Sequence, residues 1–164
     1  MDNLRKVNGG LIMVTEYFAN GSAPIGGKEI PFEKRLVLNR FYLYVPHSFQ
    51  EDRGIISNYC YMYSVDKSPL GIALKYTQGL SALKRQKLAV NFLAKEAAKG
   101  VDTAGENVLY GESQTLGVFA DIYSLRFIIN MENGVVTGCF NCEAAYASHW
   151  KEAVLQALQG VEEV

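Results

Sequence analysis

The chain has 164 residues, of which 49% are hydrophobic and 20% charged, with a formal net charge of -1 at pH 7. That length and balance suit one soluble domain over residues 1–164 with its own apolar core, and they exclude a disordered chain or a small scaffold that folds only around disulfides or metal. A charge so close to zero supplies no global field for nucleic acid or an anionic membrane, so any electrostatic partner has to be read from a local patch. No apolar run, including Leu11 to Val14 near the start, has the length of a signal-peptide core or a membrane span. The expectation is therefore a cytoplasmic protein without membrane insertion, provided that no leader has been removed.

In chain order, Gly10 to Phe18 reads as a first strand, and Ala19 to Gly27 (ANGSAPIGG) as a flexible Gly/Pro-rich connection into a second extended region weakened by Pro31. From Leu36 to Val45 the alternation improves, with Phe41, Leu43 and Val45 set against Tyr42 and Tyr44, and Pro46 closes the strand. Asn58 to Val65 alternates again, with Tyr59, Tyr61, Tyr63 and Val65 on one face and Cys60, Met62 and Ser64 on the other. Turn residues from Asp66 to Gly71 then return it as a hairpin strand with Ile72, Leu74 and Tyr76 in line.

The period changes to about 3.6 from Ser81 to Lys99, where Leu88, Ala89, Phe92, Leu93 and Ala97 make a broad apolar helix face and Gly100 is the stop signal. A polar loop leads to a strand over Asn107 to Gln114. Val118 to Asn130 then reads as a strand covered on both faces, with Ile122 and Ile128 against Phe119, Leu125, Phe127 and Ile129. Asn133-Gly134 permits the positive φ of a tight hairpin and delivers the strand Val135 to Cys142. Tyr146, Trp150, Ala153, Val154, Ala157, Leu158 and Val161 fall on one face of a closing amphipathic helix, with Trp150 as its expected anchor. Hairpins with helices between and after them predict an α+β fold: a mostly antiparallel sheet with helices on its faces, an α/β/α sandwich.

The carboxyl half, FADIYSLRFIINMENGVVTGCFNCEAAYASHWKEAVLQALQGV, is similar to the end of PsbP-like proteins: a long strand, a tight turn, a strand ending in a small-aromatic-polar stretch, and a helix with an aromatic residue near its start. FYLYVPHSFQ resembles that family's early strand running into a proline. The resemblance implies the α/β/α sandwich and an accessory, adaptor or chaperone-like binding role, since the family includes a photosystem subunit, a Ran-binding nuclear protein and bacterial proteins linked to secretion or the envelope. It places no functional residue here, and fold alone is a weak warrant for function.

Three features invite chemistry. GSAPIGGKEI departs from a phosphate-binding loop, because counting from Gly21 puts Gly27 where the lysine belongs and Glu29 follows Lys28 in place of a hydroxyl. Cys139 and Cys142 form a C-x-x-C, but odd separation on a strand points the thiols to opposite faces, and structural thiols are expected over redox or zinc work. His47 and His149 are the two histidines, the residue type most used as a general base, and a Cys142–His149 pair would span a strand-helix junction. No catalytic residue, metal site or cofactor is assigned, and an enzyme is not expected.

Two surface features remain as candidate binding residues: the tyrosine row Tyr59, Tyr61 and Tyr63, and the basic helix stripe containing Lys84, Lys87 and Lys95. Tyrosine joins apolar area to a hydrogen-bonding tip at low entropy cost, which suits recognition, while a core face under a helix is the competing explanation. For the lysines the competing explanation is a solvated helix face. The leading expectation is a non-catalytic domain engaging a protein or peptide through a sheet face or the adjoining groove. The rivals are a carrier or sensor for a small apolar ligand and an enzyme using Cys139 or Cys142.

Overall fold

A computed structural model describes residues 4–7, 10–53, 58–66, 68–96 and 101–164. Its strands are β1 (Leu4–Val7), β2 (Gly10–Met13), β3 (Ser22–Ile25), β4 (Lys28–Val37), β5 (Phe41–Pro46), β6 (Gln50–Asp52), β7 (Tyr59–Tyr63), β8 (Gly71–Gln78), β9 (Val101–Ala104), β10 (Val108–Thr115), β11 (Ile122–Asn130), β12 (Gly134–Glu143) and β13 (Glu162–Glu163). A helical turn, α1 (Val14–Tyr17), and two long helices, α2 (Ala82–Glu96) and α3 (Ala147–Gln159), complete it. Among the described residues every strand pair is antiparallel, which makes the chain a sheet-dominated α+β protein.

The main sheet has seven strands in the order β6-β7-β8-β12-β11-β10-β9, and a second has four in the order β13-β5-β4-β3. α3 packs against β3 and β5 of the smaller sheet and against β9 and β12 of the larger, so every residue from Ala153 to Gly160 is buried. The inward residues of both sheets close around it: Phe41, Leu43 and Val45 from β5, Ile72, Leu74 and Tyr76 from β8, and Leu125, Phe127 and Ile129 from β11. The end of the chain ties the sheets together. Lys34 donates to Glu162 at 2.7 Å, and Glu163 accepts from the Tyr76 hydroxyl and the Asn133 main-chain nitrogen.

Several expectations are corrected. Gly10 to Phe18 is not one strand, because the backbone turns helical at Val14. That turn delivers Phe18 into the core, where its ring stacks on Tyr44 with centroids 4.5 Å apart. The ANGSAPIGG stretch is not a loose connection. It holds β3, whose Ala23 and Ile25 are buried, and a turn at Gly26-Gly27 where both residues take positive φ. Leu36 to Val45 is likewise a hairpin rather than a strand, broken by Leu38 and Asn39 at φ of 54° and 56°. Pro31 is tolerated because β4 changes partner there, pairing with β3 up to Pro31 and with β5 from Phe32 onward. The polar loop before β10 contains β9, which adds the last strand to the large sheet.

Val118 to Asn130 is corrected twice. The strand starts only at Ile122, leaving Phe119 fully exposed. From there one set, Tyr123, Leu125, Phe127 and Ile129, is buried, while the other contains Ser124, Arg126 and Asn130 and is buried only at Ile128. The strand is covered on one face along most of its length, and the polar set looks out from the sheet.

Candidate functional site

The face of the seven-stranded sheet turned away from α3 carries the candidate residues. Register lines its outward side chains in three rows across the strands. One runs Tyr59, Lys75, Thr137, Ile128; the next Tyr61, Ala73, Cys139, Arg126; the third Tyr63, Gly71, Asn141, Ser124. The tyrosines stand on this face because their strand neighbours Cys60 and Met62 are fully buried on the other. They are not core: Tyr59 is exposed, and Tyr61 and Tyr63 are half-buried, their rings stacked 5.2 Å apart. The Tyr61 ring leans over Gly71, where a Cβ would come 2.8 Å from its hydroxyl and 2.9 Å from the main-chain carbonyl oxygen of Met62, and the fixed carbonyl is what favours glycine there. Desolvation raises the Tyr61 hydroxyl above its ordinary pKa.

α2 stands over one end of this face. Of its expected apolar face, Leu88, Ala89 and Phe92 are half-buried, and the side chain of Leu93 lies outside the described residues. The expected continuation through Ala97 to Lys99, and the stop at Gly100, lie outside the described residues. Arg85 ties the helix to the sheet, its guanidinium donating to the carbonyls of Met131, Glu132 and Gly134 at the β11–β12 turn.

Between α2 and the sheet lies an open groove of about 630 Å³. Tyr59, Ala73, Lys75, Arg126, Thr137 and Cys139 line its sheet side, and Phe92 and Lys95 its helix side. Lys75, Lys95 and Arg126 therefore line one hollow, and among the described residues that line it there is no aspartate or glutamate. Of the candidate residues, Tyr59 and Lys95 are brought together here, and Tyr61 and Tyr63 extend the same face beyond the groove. Lys84 and Lys87 are exposed on α2 and do not line it. Lys75 and Arg126 escape a reading by composition, yet each is a charged residue between two core residues of a strand, Leu74 and Tyr76 or Leu125 and Phe127. That pattern places them on the open face.

The remaining chemistry is dispersed. Cys142 is buried on the core face and Cys139 half-buried on the outer face, so the C-x-x-C thiols cannot converge on one ion or one disulfide. Burial pushes the Cys142 thiol up to about 12, and burial together with its hydrogen bond to Glu51 does the same for Cys60. His149 is exposed, beside Tyr146 and the Gly26 turn. His47 is exposed against Glu33 at 3.3 Å. A second hollow, between Trp150, Phe140 and the smaller sheet, is apolar but holds only about 20 Å³. No helix among the described residues is long and apolar enough to cross a membrane.

No protein-family model and no curated protein sequence matches the chain. Solved structures do. A protein of Bacteroides thetaiotaomicron VPI-5482 superposes with a TM-score of 0.62 at 12% identity over 80% of this chain and 48% of that one, so this chain spans about half the length of the protein it matches. The cyanobacterial PsbP (CyanoP) of Synechocystis sp. PCC 6803 superposes with a TM-score of 0.50 at 6% identity over 85% of this chain and 96% of that one. At such identities the likeness is one of fold, and the PsbP resemblance stands at that level.

Proposed function

We infer that the chain is a non-catalytic binding module of the PsbP-like α/β/α type, and that its ligand is an acidic polypeptide segment laid in the groove between α2 and the sheet. The observation that carries this reading is the convergence of Lys75 and Lys95 on one open groove beside Tyr59 and Phe92, with no carboxylate among the described residues of the lining. Cations grouped around aromatic and apolar surface favour a ligand offering both carboxylates and an apolar side chain. An open, part-polar trough suits a length of chain, whereas a carrier of small apolar ligands needs an enclosed pocket of about 300 Å³ or more. The apolar hollow beside Trp150 is far smaller than that.

The test is fluorescence anisotropy with labelled peptides of equal length, graded from net acidic to net basic, each with and without one aromatic residue. Acidic aromatic peptides should bind most tightly, with affinity falling as salt rises. The double change Lys75→Glu and Lys95→Glu should abolish that binding while the circular dichroism spectrum stays unchanged. Binding indifferent to peptide charge, or untouched by the double change, refutes the reading.

A further inference from the structure

The tip of the β10–β11 hairpin is built unlike a solvent loop. Leu116 and Val118 are each more than nine-tenths exposed and Phe119 completely so. Three large apolar side chains lie within four residues at one apex, and contiguous exposed apolar surface marks a place of contact. The turn is tight enough that a Cβ on Gly117 would fall 2.0 Å from the Ala120 carbonyl oxygen, so glycine is required there. At the foot of the tip a hollow of about 400 Å³ is lined by Gln114, Ala120, Asp121, Glu143, Ala144 and Ala145, with no lysine or arginine. An apolar apex with an acidic base is poorly matched to an anionic membrane surface and well matched to a cationic, part-apolar groove.

We propose that the occupant of the outer-face groove is this hairpin tip from a second copy of the chain. Phe119 would enter beside Phe92 and Tyr59, and Asp121 and Glu143 would face Lys75 and Lys95. The proposal rests on the groove's taking an acidic segment. The tip cannot reach its own groove: it adjoins the start of β11, and the paired strand from Ile122 to Arg126 separates the two by about 13 Å. A tip-to-groove contact is heterologous, so it either closes into a ring or continues from copy to copy.

The experiment is sedimentation velocity on the whole chain, a tip variant (Leu116→Ser with Phe119→Ser) and a groove variant (Lys75→Glu with Lys95→Glu). The unaltered chain should associate in a concentration-dependent manner that weakens with salt, and each variant should be monomeric under the same conditions. Mixed together, the variants should form a one-to-one pair and nothing larger, because the tip variant keeps its groove and the groove variant keeps its tip. A monomeric unaltered chain, association that survives in the groove variant, or a mixture that stays monomeric overturns the proposal. So does a tip that binds phosphatidylcholine vesicles while the chain remains monomeric, which would assign the apex to lipid. A labelled peptide of residues 114–121 separates the two readings. If other acidic peptides bind the groove and this one does not, the self-association proposal fails alone; if no acidic peptide binds, including this one, the groove reading fails with it.

Discussion

Arg85 donates through Nη1 to the main-chain carbonyl of Met131 at 2.5 Å, joining the first turns of α2 to the turn between β11 and β12. The same guanidinium reaches the Gly134 carbonyl at 3.3 Å and the Glu132 carbonyl at 3.0 Å. This clamp joins α2 to the sheet at the start of the helix, where the described residues of α2 are half-buried or exposed.

Arg85→Ala should therefore loosen α2 without unfolding the sheets. Hydrogen bonds from a charged donor contribute about 1.5–3 kcal/mol each when well shielded, and the partial exposure here points to a total loss of about 1–3 kcal/mol. Amide exchange should accelerate from residue 82 to 96 and remain slow in β11 and β12. Unchanged exchange in α2 would show that the helix is held by its apolar side instead.

The aromatic anchor of α3 is the second point. Trp150 is half-buried at the rim, its ring 6.0 Å from that of Phe140, while Leu158 is fully buried between the sheets. Leu158→Ala should cost about 2–5 kcal/mol. Trp150→Ala should cost less, about 1–3 kcal/mol, because part of the indole already meets water. Urea denaturation of both variants decides it, and a larger loss at Trp150 would contradict the placement of this helix.

What could be read from the sequence follows from how locally each feature is encoded. The alternations of β7 and β8 were legible because burial on one face imposes a period on consecutive residues, whereas the α3 stripe showed only part of a helix that is buried all round from Ala153 to Gly160, Gln156 and Gln159 included. The buried set of β11 was legible too, but Ile122 and Ile128 suggested a second covered face that Ser124 and Arg126 do not support. β3 and β9 were hidden because four-residue edge strands rich in small or polar residues look like loops until a partner strand exists. Phe119 misled through its hydrophobicity alone: no local rule says that an apolar residue at a hairpin apex stays in water. The groove was half legible, since Tyr59 and Lys95 stood out in their own elements, whereas their approach to Lys75 and Arg126 depends on strand order.

The thiols give a prediction in pH. Cys60 and Cys142 have their pKa raised from about 9 to about 12, so the folded state holds their protons more tightly than the unfolded chain does. That contribution is complete below pH 9 and is lost as pH rises from about 9 to 12. Stability should fall through this window more gently in the Cys60→Ala, Cys142→Ala double variant. At pH 7.5 a thiol reagent should modify only Cys139 rapidly in the native protein, and all three cysteines in denaturant. Fast native reaction of two or three thiols would show that the core faces of β7 and β12 are open.

The last prediction concerns Tyr59, Tyr61 and Tyr63, which share the outer face but differ in setting. Tyr59 lines the groove and is 38% exposed, so Tyr59→Ala should cost less than about 1 kcal/mol of stability, as surface changes generally do. It should weaken an acidic aromatic peptide by about 1–2 kcal/mol, as expected of an aromatic contact residue. Tyr61 covers Gly71 and stacks on Tyr63, so Tyr61→Ala bares a strand at its weakest point and should cost more, about 1–3 kcal/mol. Its effect on binding should be smaller than that of Tyr59, because it does not line the groove. Tyr63→Ala removes one half of the stacked pair and should fall between the two in stability. Denaturation and peptide anisotropy on the same three proteins give six numbers, and the ordering is the test: Tyr59 first in binding, Tyr61 first in stability. If Tyr61 or Tyr63 instead dominates binding, the ligand lies across the open tyrosine end of the sheet and α2 is only its border.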